Sequence, residues 1–171
     1  MSRFFEDIEV GERLTSPRRT LTARDIENYS DLSGDWRGHW SSIFADEAQL
    51  DATRLGDDRM TAPAVLVMSQ QYGLRPTTEP HEPHTGIVAL FEWEEITYRQ
   101  PLRVGDSFYY EHEVLDKHTG RPGYGTIRTR RTIRNQRDEI VMTIVERTRY
   151  RTRAMWEQTQ QAASRDQETE Q

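Results

Sequence analysis

The sequence contains no cysteine, and its 23 basic residues include a single lysine, Lys117, the rest being arginine. Without thiols there is no disulfide framework, no Cys-ligated zinc or iron–sulfur centre and no thiolate nucleophile, a composition compatible with a reducing compartment. Apolar residues are also scarce, at 34% against 30% charged. A domain of 171 residues buries roughly 70% of the surface its unfolded chain exposes, so the core is lean and burial against a second subunit would enlarge it. No apolar run approaches the roughly 20 residues that a membrane span needs. The first ten residues, with Glu6, Asp7 and Glu9, lack the basic start and apolar stretch of a secretory signal. The expectation is a cytoplasmic protein with no membrane attachment.

What charge there is lies unevenly. Residues 121–153 hold ten Arg against Asp138, Glu139 and Glu146, a net +7, whereas residues 1–120 carry a net −10 and the tail from Ala154 a net −3. A basic segment on an acidic chain either meets a phosphate-bearing ligand or is a solvated strand face. Nucleic acid is disfavoured as the partner, because no aromatic residue interleaves with the arginines between Gly125 and Arg149 to stack on bases.

Periodicity predicts an α+β chain. A lead-in, Phe4 to Glu12, closes on Gly11. Thr22 with Asp25 three residues on gives a capping-box start to a helix carrying Ile26, Tyr29 and Leu32, which Gly34 stops. Residues 33–62 read as a long loop or flap with one short helix near Asp46–Thr53. The run Ala64 to Met68, preceded by Pro63 and continued by Tyr72 and Leu74, reads as a helix apolar enough to require enclosure by a curved sheet, with Pro63 in its first turn. Four strands follow, Ile87–Arg99, Asp106–Lys117, Gly125–Arg134 and Glu139–Arg153, separated by Gly/Pro connections and the tight hairpin Asn135–Asp138. Alternation in Phe108, Tyr110, His112 and Val114 and in Ile140, Met142 and Ile144 marks an antiparallel meander packed on one side. The folded domain is expected over 1–153, with a disordered polar tail over 154–171.

Four segments carry a family resemblance: Phe5–Glu12, Tyr29–Trp36, Pro63–Leu74, and Arg99–Asp106 with the later Arg134-Asn135-Gln136 hairpin. In order and spacing they resemble the MaoC-like dehydratases, or (R)-specific enoyl-CoA hydratases. The resemblance implies a single hot-dog fold, an antiparallel sheet wrapped around a central helix, and a homodimer with an acyl tunnel between subunits. It also implies reversible addition of water across C2=C3 of an enoyl thioester with coenzyme A as carrier and no cofactor or metal. In such a site an Asp and a His activate water, which is a poor nucleophile near neutral pH, and a backbone N–H at the central helix's start polarises the thioester oxygen.

Asp35 matches the family's Asp. The His does not follow at its usual spacing, where Trp40 stands; aligned instead from Ala45-Asp46-Glu47-Ala48, its position falls on Phe44, and Arg37-Gly38-His39-Trp40 becomes an insertion from which His39 would act as replacement acid/base. The oxyanion donor is the N–H of Ala64 in one register; in the other its place is taken by Pro63, which has none. Trp36 and Trp40 either line an acyl pocket or pack the flap on a partner. Arg128, Arg130 and Arg134 share one strand face suited to the phosphates of coenzyme A. These departures leave three readings open: a hydratase or dehydratase, a catalytically inactive acyl-CoA-binding subunit paired with a catalytic paralogue, and a hot-dog thioesterase. Ser33, Ser41 and Ser42 have no His at a nucleophile's spacing. His81 and His84, separated by Pro83, make too loose a pair for a metal site.

Overall fold

A computed structural model describes residues 3–36, 60–74 and 86–169. Helix α1, Ala23–Ser33, begins as its capping box dictates: the Asp25 N–H donates to Thr22 Oγ1 (3.2 Å) and the Thr22 N–H to Asp25 Oδ2 (2.9 Å). It ends at Gly34, whose φ of 72° lies in the left-handed region that a Cβ disfavours, with the Gly34 N–H donating to the Ser30 carbonyl (2.8 Å). Helix α2, Ala64–Gln71, starts one residue later than expected. Pro63 is its extended N-cap (φ −54°, ψ 137°) rather than part of its first turn.

The expected meander is present as β3 Ile87–Tyr98, β4 Ser107–Thr119, β5 Tyr124–Asn135 and β6 Ile140–Arg151, all antiparallel. Two short strands not anticipated from the sequence, β1 Arg13–Thr15 and β2 Arg19–Thr20, pair with β4. The sheet order is β1-β4-β5-β6-β3, leaving β3 on one edge. Large apolar side chains stand exposed along that edge strand, Phe91, Trp93 and Ile96 among them. Beyond β6, where composition places a disordered tail, residues Arg153–Thr169 form helix α3. Its first turn is docked through the Trp156 ring, 6.4 Å from that of Phe4.

One face of the sheet carries two apolar clusters. The larger joins Ile26 of α1 and Leu66 and Val67 of α2 to Phe108, Tyr110, Ile133, Met142 and Ile144. Each fully buried aliphatic side chain here contributes about 1.5–3 kcal/mol. Among the described residues the apolar helix is enclosed on one side, with Val65 54% exposed. The smaller cluster packs Phe5 and Ile8 of the lead-in on Val114 and Ile127. The Phe5 ring lies where any Cβ at position 125 would stand, hence Gly125. The lone lysine clamps this lead-in: Lys117 Nζ donates to the carbonyls of Phe5 (3.2 Å) and Ile8 (2.8 Å).

Between the clusters runs a buried polar belt. Arg131 Nε donates to Glu146 Oε1 (2.9 Å) and its Nη1 to Gln71 Oε1 (3.0 Å), while Tyr72 OH donates to Glu146 Oε2 and accepts from Trp93 Nε1 (3.0 Å). Burial opposes the Arg131 charge, but the Glu146 carboxylate, Tyr110 and Tyr72 more than offset it and hold its pKa above the ordinary value. Burial, then the bond to Glu146, pushes the Tyr72 phenol up to about 12. Breaking a buried pair leaves a desolvated charge, whereas replacing both partners by apolar residues removes the desolvation cost as well. Glu146→Leu is therefore expected to lower unfolding free energy by about 3–5 kcal/mol and Arg131→Met/Glu146→Leu to recover most of it, read by urea denaturation; equal or additive losses would contradict the pairing.

Candidate active site

The loop between β3 and β4 holds the leads into both helices of the candidate site. Its backbone bonds first to the lead into α1: Leu21 N–H donates to the Asp106 carbonyl and Gly105 N–H to that of Leu21 (2.9 Å each). It then bonds to the lead into α2: Ala62 N–H to the Leu102 carbonyl (2.8 Å) and Val104 N–H to that of Met60 (2.9 Å). The loop itself is closed by the buried Asp106, which accepts from the Arg103 N–H (2.9 Å) and from Gln136 Nε2 of the β5–β6 hairpin (2.9 Å). Leu102, fully buried, anchors it in the larger cluster.

From the first of these supports, α1 delivers Asp35 and Trp36 just past its Gly34 cap, both partly exposed, with the Asp35 N–H donating to Ser33 Oγ (3.2 Å). From the second, α2 begins at Ala64, partly exposed, with Pro63 buried beneath it. The first N–H groups of a helix have no partner inside it, and the N-terminus carries about half a positive charge. Pro63 supplies no side-chain cap. Since the helix begins after the proline, its first open amide is that of Ala64. The two helices pack on one cluster, through Ile26 and Tyr29 on one side and Ala64, Leu66 and Val67 on the other. His39, Trp40 and Phe44 fall in residues 37–59, outside the described residues.

Arg128, Arg130 and Arg134 occupy one face of β5 as their spacing predicts, and each meets a carboxylate. Arg128 Nε donates to Glu94 (2.6 Å), Arg130 Nη1 to Glu113 (3.3 Å) and Arg134 Nε to Glu111 (2.9 Å). Arg13, Arg130 and Arg134 with Glu111 and Glu113 line a groove of about 290 Å³ on this face. Three guanidinium groups against two carboxylates leave it with a net positive charge, so an anion entering it competes with carboxylates already in place.

The belt residues Tyr72, Arg131 and Glu146 escape a charge-based reading. The signal that locates Arg131 and Glu146 is parity: Arg131 shares its side of β5 with the buried Ile127 and Ile133, and Glu146 its side of β6 with the buried Met142 and Ile144. Among the described residues no cluster of His, Asp and Glu has the makings of a metal site, and no helix is long and apolar enough to cross a membrane.

Comparison with known proteins agrees with this architecture. Residues 5–144 match the family model described as FAS1-like, dehydratase domain region. A curated relative, Protein MaoC of Klebsiella aerogenes, is 30% identical over 106 residues, which are 61% of this chain and 28% of that protein's length. The MaoC-like dehydratase of Rhodospirillum rubrum superposes with a TM-score of 0.72 at 23% identity, covering 89% of this chain and 99% of the other. A double hot-dog protein of Mycobacterium tuberculosis, RV0216, gives 0.70 at 19%, covering 88% of this chain and 44% of that one. With six strands wrapped on a central helix and a family match over most of its length, the chain belongs to the FAS1-like dehydratase family and has the hot-dog fold of the MaoC-like dehydratases.

Proposed function

We propose that this protein adds water to, or removes it from, C2=C3 of an acyl thioester, with Asp35 as general base. In hydration the Asp35 carboxylate takes a proton from water as the water oxygen bonds to C3. The electron pair of the C2=C3 bond moves toward the thioester oxygen, and the developing enolate oxygen accepts the Ala64 N–H. His39, entering as the imidazolium, then delivers a proton to C2, the proton held by Asp35 returns to His39 through solvent, and dehydration runs the same steps in reverse. The observation that carries this reading is the uncapped start of α2 at Ala64, strapped by the β3–β4 loop beside the helix that delivers Asp35. A base in hydrogen-bond reach is worth about 10²–10⁴-fold, and a fixed oxyanion donor about 10²–10³-fold.

Trp36, Trp40 and Phe44 flank the acyl group in this reading, with Pro63 closing the pocket beneath Ala64, and the face bearing Arg128, Arg130 and Arg134 takes the phosphates of coenzyme A. The working unit is a homodimer formed through edge strand β3, whose Phe91, Trp93 and Ile96 side chains stand exposed in one copy. RV0216, less than half of which is covered by this chain, is itself described as a double hot-dog, which supports pairing of two such units.

The presence of Trp40 or Phe44 where the family pattern has His favours a second reading, an acyl-binding subunit without turnover. An enoyl-CoA panel of graded chain length separates them by loss of enoyl-thioester absorbance. Turnover is expected, and Asp35→Asn is expected to lower kcat/KM by about 10²–10⁴-fold. Binding without turnover throughout the panel would replace the hydratase by the binding subunit; release of free thiol in place of loss of the double bond would indicate thioester hydrolysis.

A further inference from the structure

A second polar site lies away from Asp35 and Ala64, under the lead-in segment. There a cavity of about 30 Å³ opens between the lead-in and strands β4, β5 and β6. Its polar lining comes from Arg3, Glu12, His112, Thr129 and Tyr150, and Ile8 and Ile127 close its apolar side. Two of these groups are buried without a hydrogen-bond partner: His112 Nε2 and Thr129 Oγ1, with Thr129 only 5% exposed. They stand on adjacent strands two register positions apart and so on one face, Thr129 opposite Val114 and His112 opposite Arg131. Leaving a buried hydroxyl and a buried imidazole nitrogen unpaired is costly, and both line the same polar space.

We propose that this cavity is an internal hydration site, in which bound water bridges His112 Nε2 and Thr129 Oγ1. Its size suits the ligand: a water requires roughly 10–15 Å³ of such volume and two to four polar partners, so one or two waters fit and a larger molecule does not. A third partner is at hand in Glu12. Its two carboxylate oxygens accept from Arg3 at 2.8 and 2.6 Å, and a carboxylate has about four acceptor sites. Water suits the imidazole because it offers a donor to an acceptor nitrogen and an acceptor to a donor one. Burial, then the Arg131 charge, lowers the His112 pKa to about 4, so the ring is neutral near pH 7 and one of its nitrogens is an acceptor. The water thereby links the lead-in to the sheet beside the polar belt, where His112 Nε2 and Thr129 Oγ1 have no protein partner.

Thr129→Val tests this by the sign of its effect. If water occupies the site, removing the hydroxyl deprives the water and His112 of a partner, and Tm falls by about 2–4 °C. If the cavity is dry, the same change removes an unpaired buried hydroxyl and places a stronger strand former in β5, so Tm is unchanged or rises. A high-resolution crystal structure of the wild-type chain is expected to show density within hydrogen-bond distance of both His112 Nε2 and Thr129 Oγ1, retained in Thr129→Ser and lost in Thr129→Val. An empty cavity in the wild type, or a Tm that holds or rises in Thr129→Val, overturns the proposal.

Discussion

Four backbone hydrogen bonds made by the β3–β4 loop tie the molecule together. The segment from Leu102 to Asp106 holds the lead into α1 through Leu21 and the lead into α2 through Met60 and Ala62, so two helices separated by 30 residues of sequence share one support. That support is rigid because Leu102 is fully buried and Asp106 satisfies both a loop amide and the hairpin amide of Gln136. Loops carry function when a scaffold fixes them, and here the scaffold is the sheet's own connection. The N-terminal leads of α1 and α2 are held on one support as a consequence.

Much of this was legible in the sequence, for local reasons. Thr22, Asp25 and Gly34 mark α1 because caps are satisfied within a few residues of themselves. The long strands are marked by alternation and by turn residues, and the Asn135–Asp138 hairpin closes as read, with Asn135 Oδ1 accepting the Arg137 and Glu139 amides (2.9 and 3.1 Å). What was missed depends on contacts distant in sequence. Strands β1 and β2, three and two residues long, exist only by pairing with β4 nearly a hundred residues on. Proline fits both the N-cap side and the first turn of a helix, so Pro63 alone does not settle where α2 begins. Of the candidate site, Asp35, Trp36, Pro63 and Ala64 are placed by the fold, while His39, Trp40 and Phe44 lie outside the described residues.

The arginines show how position changes the meaning of charge. A net +7 between residues 121 and 153 looks like one basic surface, but the sheet sorts it by parity. Arg128, Arg130 and Arg134 point to one face, where Arg128 meets Glu94 of β3 across the intervening β6, and Arg130 and Arg134 meet Glu113 and Glu111 of the adjacent β4. Arg131 points to the other and, with its side chain 18% exposed, pairs with Glu146, which is 1% exposed. A buried ion pair is weak evidence for stability but strong evidence of constraint, because neither partner tolerates loss of the other. In this chain that constraint fixes β5 and β6 to the C-terminal end of α2, and the loop strap fixes the N-terminal end.

In the proposed reaction α2, held at both ends, presents the Ala64 amide as a fixed dipole toward a thioester oxygen, and that is the central claim to test. Fixed donors polarise a bound carbonyl, and the carbonyl stretch reports that polarisation directly. Ala64→Pro removes the amide with little disturbance of the helix, because proline suits a first helical position and the extended Pro63 accepts a following proline. Isotope-edited infrared difference spectroscopy of a bound enoyl thioester labelled at its carbonyl carbon is the most direct measurement. The account predicts a carbonyl band at lower wavenumber in the wild-type complex than in water, returning toward the solution value in Ala64→Pro; the same band position in both complexes would contradict it.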